Sequence, residues 1–179
     1  KACILDRRAT EPETGPTNHA ARVAEAKRGF TVEDVHERAS RTLEKCIMNG
    51  ATRMRTHVEI DPPAGLISLE GVMQAAKDYA WAIDVEVCAF PQEGLTQVAD
   101  TDDFLVEALD RGARCIGAAP GYDTDYNGQI GRIFELAREY DIDIDMHLDF
   151  GNTSDDMDVH YVCDLTEKFG YGGRVAVGH

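Results

Sequence analysis

The chain has 179 residues, 43% of them hydrophobic, with 33 acidic residues against 18 basic and a formal net charge of −15. That length carries one domain with a real core. No apolar run is long enough to span a membrane, and the acidity repels phosphate backbones, so neither membrane nor nucleic acid is an expected partner.

Residues 1–30 have the weakest periodicity. Thr10-Glu11-Pro12-Glu13-Thr14-Gly15-Pro16 is polar and turn-rich, which predicts a long loop, with a short helix over Asn18–Lys27. A loop of that length is often functional. From residue 31 the pattern becomes regular. Thr31 with Asp34 three positions on is close to a capping box, and Val35, Ala39, Leu43, Cys46 and Ile47 make a helical stripe. Asn49-Gly50 closes that helix. Further helices are expected near Leu69–Ala80, from Thr101 to Gly112, over Gln129–Tyr140 and over Asp156–Phe169. Between them lie aliphatic runs at Arg53–Ile60, Asp84–Phe90, Arg114–Ala119, Ile142–Asp149 and Arg174–Gly178, recurring roughly every 30 residues. Five cysteines (Cys3, Cys46, Cys88, Cys115, Cys163) are scattered with no CxxC pair. This predicts reduced thiols in a cytoplasmic protein.

Strand alternating with helix means parallel strands and right-handed crossovers. Two architectures fit, a doubly wound sheet and a (β/α)8 barrel. No GxGxxG follows any run, which weakens the dinucleotide fold. In Asp141–Asp149 every second residue is Asp or His, and the others are Ile142, Ile144, Met146 and Leu148. One face of that strand is polar and the other aliphatic. A barrel turns the polar face into its lumen, whereas a flat sheet would bury those carboxylates under a helix at high cost. The expected fold is therefore α/β, part of a (β/α)8 TIM barrel made of about five consecutive βα units. A whole barrel needs about 250 residues, so the missing strands are expected on a longer polypeptide. Residues 1–179 are read as one partial barrel domain, with 1–30 as its loop-rich start.

At the C-terminal ends of the runs, reactive side chains replace apolar ones. They are Glu59 and Asp61, Gln92 and Glu93, Tyr122 and Asp123, His147 and Asp149, and His179. Parallel strands put all these ends on one face, where such folds keep their chemistry. His147, at the end of a polar strand face, is the strongest candidate. Gln92 offers both a donor and an acceptor, and a histidine such as His179 can hold or relay a proton near neutrality. Asp149 can support His147 as a hydrogen-bond acceptor. His57 is expected to point inward and bond its neighbours, Asp141, Asp143 and Asp145 to be structural, and His19, His36 and His160 to be solvated.

Four stretches then carry a likeness. They are Arg55-Thr56-His57-Val58-Glu59, Cys88-Ala89-Phe90-Pro91-Gln92-Glu93-Gly94, Asp145-Met146-His147-Leu148-Asp149 and Val175-Ala176-Val177-Gly178-His179. In this order they resemble the RTHVD, AFPQEG, DxHxD and final-His strands of the cytosine deaminase-like branch of the metal-dependent amidohydrolase superfamily. The resemblance implies strands two to six of that barrel and one divalent metal ion, zinc or iron. It implies His147 as a metal ligand, Gln92 as the group that binds the substrate's polar edge, and His179 in contact with the attacking water or the substrate. The family's HxH ligand pair and its eighth-strand Asp fall outside this chain. Where deaminases carry a proton-shuttling Glu, this chain has Phe150, which hands proton transfer to Asp149 or His179, or to a residue outside the chain. The implied activity is hydrolysis of a C–N bond in a nitrogen heterocycle or related amidine or amide, with release of ammonia or an amine from a small-molecule substrate. A homo-oligomer is left open. Competing readings are a different TIM-barrel enzyme, disfavoured by the lack of a lysine at the strand ends, and an incomplete, non-catalytic barrel fragment.

Overall fold

A computed structural model of the chain describes residues 27–151 and 153–178. The helix expected over Asn18–Lys27, apart from Lys27 itself, and the candidate His179 lie outside the described residues. In chain order the structure runs α1 (Val32–Met48), β1 (Arg53–Glu59), α2 (Ile67–Asp78), β2 (Asp84–Phe90), α3 (Thr101–Asp110), β3 (Cys115–Ile116), a 3-10 turn (Pro120–Tyr122), α4 (Tyr126–Glu139), β4 (Asp143–His147), α5 (Asp158–Phe169) and β5 (Val175–Gly178).

The helix boundaries follow local chemistry. Thr31 Oγ1 accepts from the Asp34 amide at 3.2 Å, as the near capping box predicts. The α4 helix begins three residues before its expected start because Asp125 caps it, taking the Gly128 amide at 2.8 Å. The α5 helix begins two residues later than expected. Its N-cap, Met157, provides no side-chain bond. Asp149, eight residues upstream, accepts from the Asp158 amide at 2.8 Å and the Val159 amide at 3.3 Å instead. Gly50 (φ 84°) and Gly170 (φ 66°) end α1 and α5 in the left-handed conformation that a side chain would strain.

The five strands form one sheet in the order β1-β2-β3-β4-β5. Pairs from β2 to β5 are parallel, in registers such as Cys88 with Cys115, Ile116 with Ile144, and His147 with Gly178. The bonds Asp84 N→Thr52 O and Ile60 N→Phe90 O join like ends of β1 and β2, so this pair is parallel too. Sequential order without reversal is barrel order; a doubly wound sheet would reverse at a switch point. The assigned β3 is shorter than the expected Arg114–Ala119 run, yet its extension still bonds both neighbours through Gly117 N→Ala89 O and His147 N→Ala118 O.

The chain divides into two compact units. One holds the residues up to Met54 with Pro63–Val85, and the other holds Arg55–Pro62 with the described residues from Glu86 onward. In the first, Ala39 and Leu43 of α1 pack with Ala75 of α2 and Ile83. Gly71 permits that packing, since a Cβ there would meet Val35 Cγ1 at 2.7 Å and the Val32 carbonyl oxygen at 2.8 Å. In the second, Cys88, Phe90, Cys115 and Ala119 form a buried cluster, and α4 buries Ile130, Ile133, Phe134, Leu136 and Ala137. Burying each large apolar side chain contributes roughly 1.5–3 kcal/mol. The β4 strand alternates as its sequence predicts, with Ile144 and Met146 fully buried and Asp143, Asp145 and His147 half-buried on the opposite face.

Candidate active site

Three side chains of the second unit converge. The His57 and His147 rings lie 4.7 Å apart, tilted by 40°, and Asp145 Oδ1 is 3.3 Å from His57 Nε2. His57 is on β1 and the other two on β4, with β2 and β3 between them in the sheet. At roughly 4.8 Å per strand, a flat sheet would hold them about 14 Å apart. Contact across three strand intervals therefore requires this sheet to curl, with the polar face inside the curve. Phe90, from the end of β2, fills the space between, its ring 5.1 Å from His57 edge-on and 4.9 Å from His147.

The polar layer continues away from the strand ends. Arg55 donates to Asp145 Oδ2 at 2.9 Å and to Glu86. Burial works against its charge, but the bonds from Asp145 and then Glu86 outweigh it and raise the guanidinium's pKa. Cys88 and Cys115 are buried alongside, and burial first, then Cys115, pushes the Cys88 thiol well up, so it stays neutral. The Gly117 position lets these strands close. A Cβ there would collide with the Asp145 carbonyl oxygen and with the Phe90 ring. Gly117→Ala is expected to cost about 2–3 kcal/mol of stability, because the obstacle includes backbone and cannot step aside. Thermal unfolding with a near-native melting temperature would contradict this.

A divalent ion fits the three converging groups. His57 Nε2 is shielded from solvent and makes no hydrogen bond, since its approach to Asp145 is close but misaligned. One ligand atom each from His57, Asp145 and His147 lies within 4.8 Å of the others. Two imidazoles and a carboxylate are a donor set that zinc or iron accepts.

Gln92 and Asp149 follow the C-terminal ends of β2 and β4, with different surroundings. Gln92 is half-buried on the loop after β2, its backbone N–H donating to the Phe90 carbonyl oxygen at 3.1 Å. The structure does not bring Asp149 to His147. Asp149 stands at φ 57° with both carboxylate oxygens on the N-terminus of α5, where the helix dipole favours an anion. Phe150 is 43% exposed and faces Tyr122, also 43% exposed, with ring centroids 5.7 Å apart. Asp141 and Asp143 hold Arg174 at 2.6 and 2.9 Å and are structural, as expected.

Asp145 and His57 are the residues whose part in this cluster the sequence reading missed. The signal for Asp145 was its place two positions before His147, on the same strand face. The signal for His57 was its place between Arg55 and Glu59 at alternate positions, on the polar face of a strand opening the same sheet. His36, expected to be solvated, makes an exposed bond with Asp78 at 2.8 Å within the first unit.

No known family profile matches the chain. It is 28% identical over 151 residues to the N-isopropylammelide isopropyl amidohydrolase of Pseudomonas sp. (strain ADP), covering 83% of this chain and 38% of that protein. It is 22% identical over 151 residues to the pterin deaminase of Rhizobium rhizogenes (strain K84 / ATCC BAA-868), covering 84% and 34%. Among solved structures, the 5-methylcytosine deaminase of Klebsiella pneumoniae liganded with 5-fluorocytosine superposes with a TM-score of 0.84 at 25% identity, over 89% of this chain and 39% of that one. The chain thus spans under half the length of these proteins. The fold is part of a (β/α)8 barrel, with five consecutive parallel strands joined by four crossover helices.

Proposed function

We propose that the chain is part of a metal-dependent amidohydrolase of the cytosine deaminase-like branch, as its similarity to these proteins supports, and that the complete protein hydrolyses a C–N bond of a nitrogen heterocycle or a related amidine or amide. The observation that carries this is the convergence of His57, Asp145 and His147 at the C-terminal ends of curled parallel strands. His147 is a ligand of one divalent ion, and His57 and Asp145 are the further donors within reach. When bound, such an ion supplies Lewis acidity that brings the pKa of a water toward neutrality.

The remaining roles belong to side chains of this chain. Gln92 reads the polar edge of the substrate, its carbonyl accepting and its amide donating. His179, directly after β5, holds or relays the proton. Asp149 fixes the strand-to-helix connection that carries His147. Phe150 and Tyr122 give an exposed aromatic surface that suits a planar ring. Phe150 cannot shuttle a proton, which favours release of an amine over deamination of cytosine itself. The substrate is a small molecule and the expected location is the cytoplasm. The free thiols of the described cysteines support that location, and no helix among the described residues is long and apolar enough to cross a membrane.

The test is turnover by the complete protein, stripped with a chelator and reloaded with zinc or ferrous ion, on cytosine, N-isopropylammelide and a pterin. Release of ammonia or isopropylamine should vanish on stripping and return on reloading. Turnover indifferent to the metal, or none by the reloaded protein on any of the three, would sink the reading.

A further inference from the structure

We propose that Asp61 and Asp123 are positioning residues that clamp the loop after β2 from its two flanking strands and thereby set how tightly Gln92 engages the substrate; this rests on the reading of Gln92 above. The loop is gripped on both sides. Asp61, just beyond β1, is fully buried, and its Oδ1 accepts from the Glu93 amide at 2.9 Å. Asp123, beyond β3, takes the next stretch. Its Oδ2 accepts from the amides of Leu95 at 2.6 Å and Thr96 at 2.9 Å, and its Oδ1 accepts from the Thr96 hydroxyl. Gly94 between the two grips turns at φ 110°. Gln97 adds a bond from its Nε2 to the Tyr122 carbonyl oxygen at 2.6 Å.

Asp123 is itself held. The Thr124 amide donates to Oδ1 and the fully buried Gln129 donates to Oδ2, each at 2.8 Å. Gln129 in turn accepts from the Ala119 amide at 3.0 Å. Five donors therefore point at one carboxylate. Only an ionised acid, with acceptor sites on both oxygens and no hydrogen of its own, satisfies them all. An asparagine would turn an NH2 toward amide N–H groups. Neither acid needs to touch substrate. Each acts through the backbone on either side of Gln92, and a polar contact is worth its full value only when donor and acceptor are held in place.

The experiment uses the complete protein with Thr96→Val, Thr96→Ser, Asp61→Asn and Asp123→Asn. Thr96→Val removes one hydroxyl near the surface and keeps the fold testable if either aspartate variant fails to fold. With N-isopropylammelide as probe, Thr96→Val and Asp61→Asn are expected to raise KM about tenfold and to leave kcat within about twofold, the signature of lost uniform binding. Thr96→Ser should restore KM. Hydrogen exchange at Glu93, Leu95 and Thr96 should quicken in Thr96→Val without any ligand present. Faster exchange with unchanged KM overturns the proposal, as does unchanged exchange whatever the activity. If N-isopropylammelide is not turned over, KM is read on whichever of cytosine or the pterin is; a wild-type protein inactive on all three would overturn the hydrolase reading and with it the part given to Gln92, while quickened loop exchange in Thr96→Val would separately show that the aspartates hold the loop.

Discussion

Replacing His147 by alanine in the complete protein is expected to abolish both metal binding and turnover. His147 closes β4, its amide anchored to the Ala118 carbonyl oxygen at 2.8 Å and its ring flanked by those of His57 and Phe90. These contacts hold the imidazole where the polar face of β4 meets the open end of the strands. Among the described residues its removal leaves only His57 and Asp145 within reach of the ion, and a catalytic site that loses one of its few protein ligands binds its metal far more weakly. Even disturbing a group that only orients a ligand typically costs 10–100-fold in affinity or activity, so loss of a ligand should exceed that. Metal content of the purified variant, its circular dichroism and its turnover decide the matter. A folded His147→Ala protein that still carries one equivalent of metal and turns over substrate would refute the assignment.

Asp123→Ala should be the most damaging single change for stability, at about 3–5 kcal/mol, because five donors lose their acceptor, those of Leu95 and Gln129 in a buried setting. The pH dependence has a definite sign. Burial alone would push the Asp123 carboxyl up, but the bonds from Thr96, Leu95 and Thr124 outweigh it and hold it at about 2. A pKa lowered on folding means that the stabilisation is present above the unfolded value near 4 and is lost as pH falls from there through 2. The ionised group is expected to contribute about 1–2 kcal/mol at neutral pH on this account. Melting temperatures of wild type and Asp123→Asn, followed from pH 6 to pH 2, should draw together below pH 4. A constant gap across that range would show that the charge of Asp123 contributes nothing.

Much of the fold was legible because its signals are local. The alternation in Asp141–Asp149 predicted which face of β4 is buried, and Ile144, Met146 and Leu148 are buried as that pattern requires. Capping at Thr31 and the glycines at 50 and 170 are likewise local. What stayed hidden depends on residues distant in sequence. Whether His57 could meet His147 depends on how far the sheet curls across two intervening strands, and no single strand encodes that. Asp149 reads as a free acid beside a metal ligand, yet it caps a helix that starts nine residues later, because Met157 cannot. Asp123 reads as a reactive strand end, and only the buried Gln129 beneath it shows that the acid is part of a scaffold.

The division into two units has a practical consequence for anyone seeking a smaller version of this protein. Neither unit is one continuous stretch of chain. The backbone passes between them at Met54–Arg55, Pro62–Pro63 and Val85–Glu86, and the first and last of these points lie inside β1 and β2. A protease cutting at an exposed turn, or a gene truncated at one, cannot release either unit whole. Excision there would sever strands in mid-ladder and leave unpaired edges that invite aggregation. Minimisation is better pursued by shortening connections such as 151–157 than by dividing the chain.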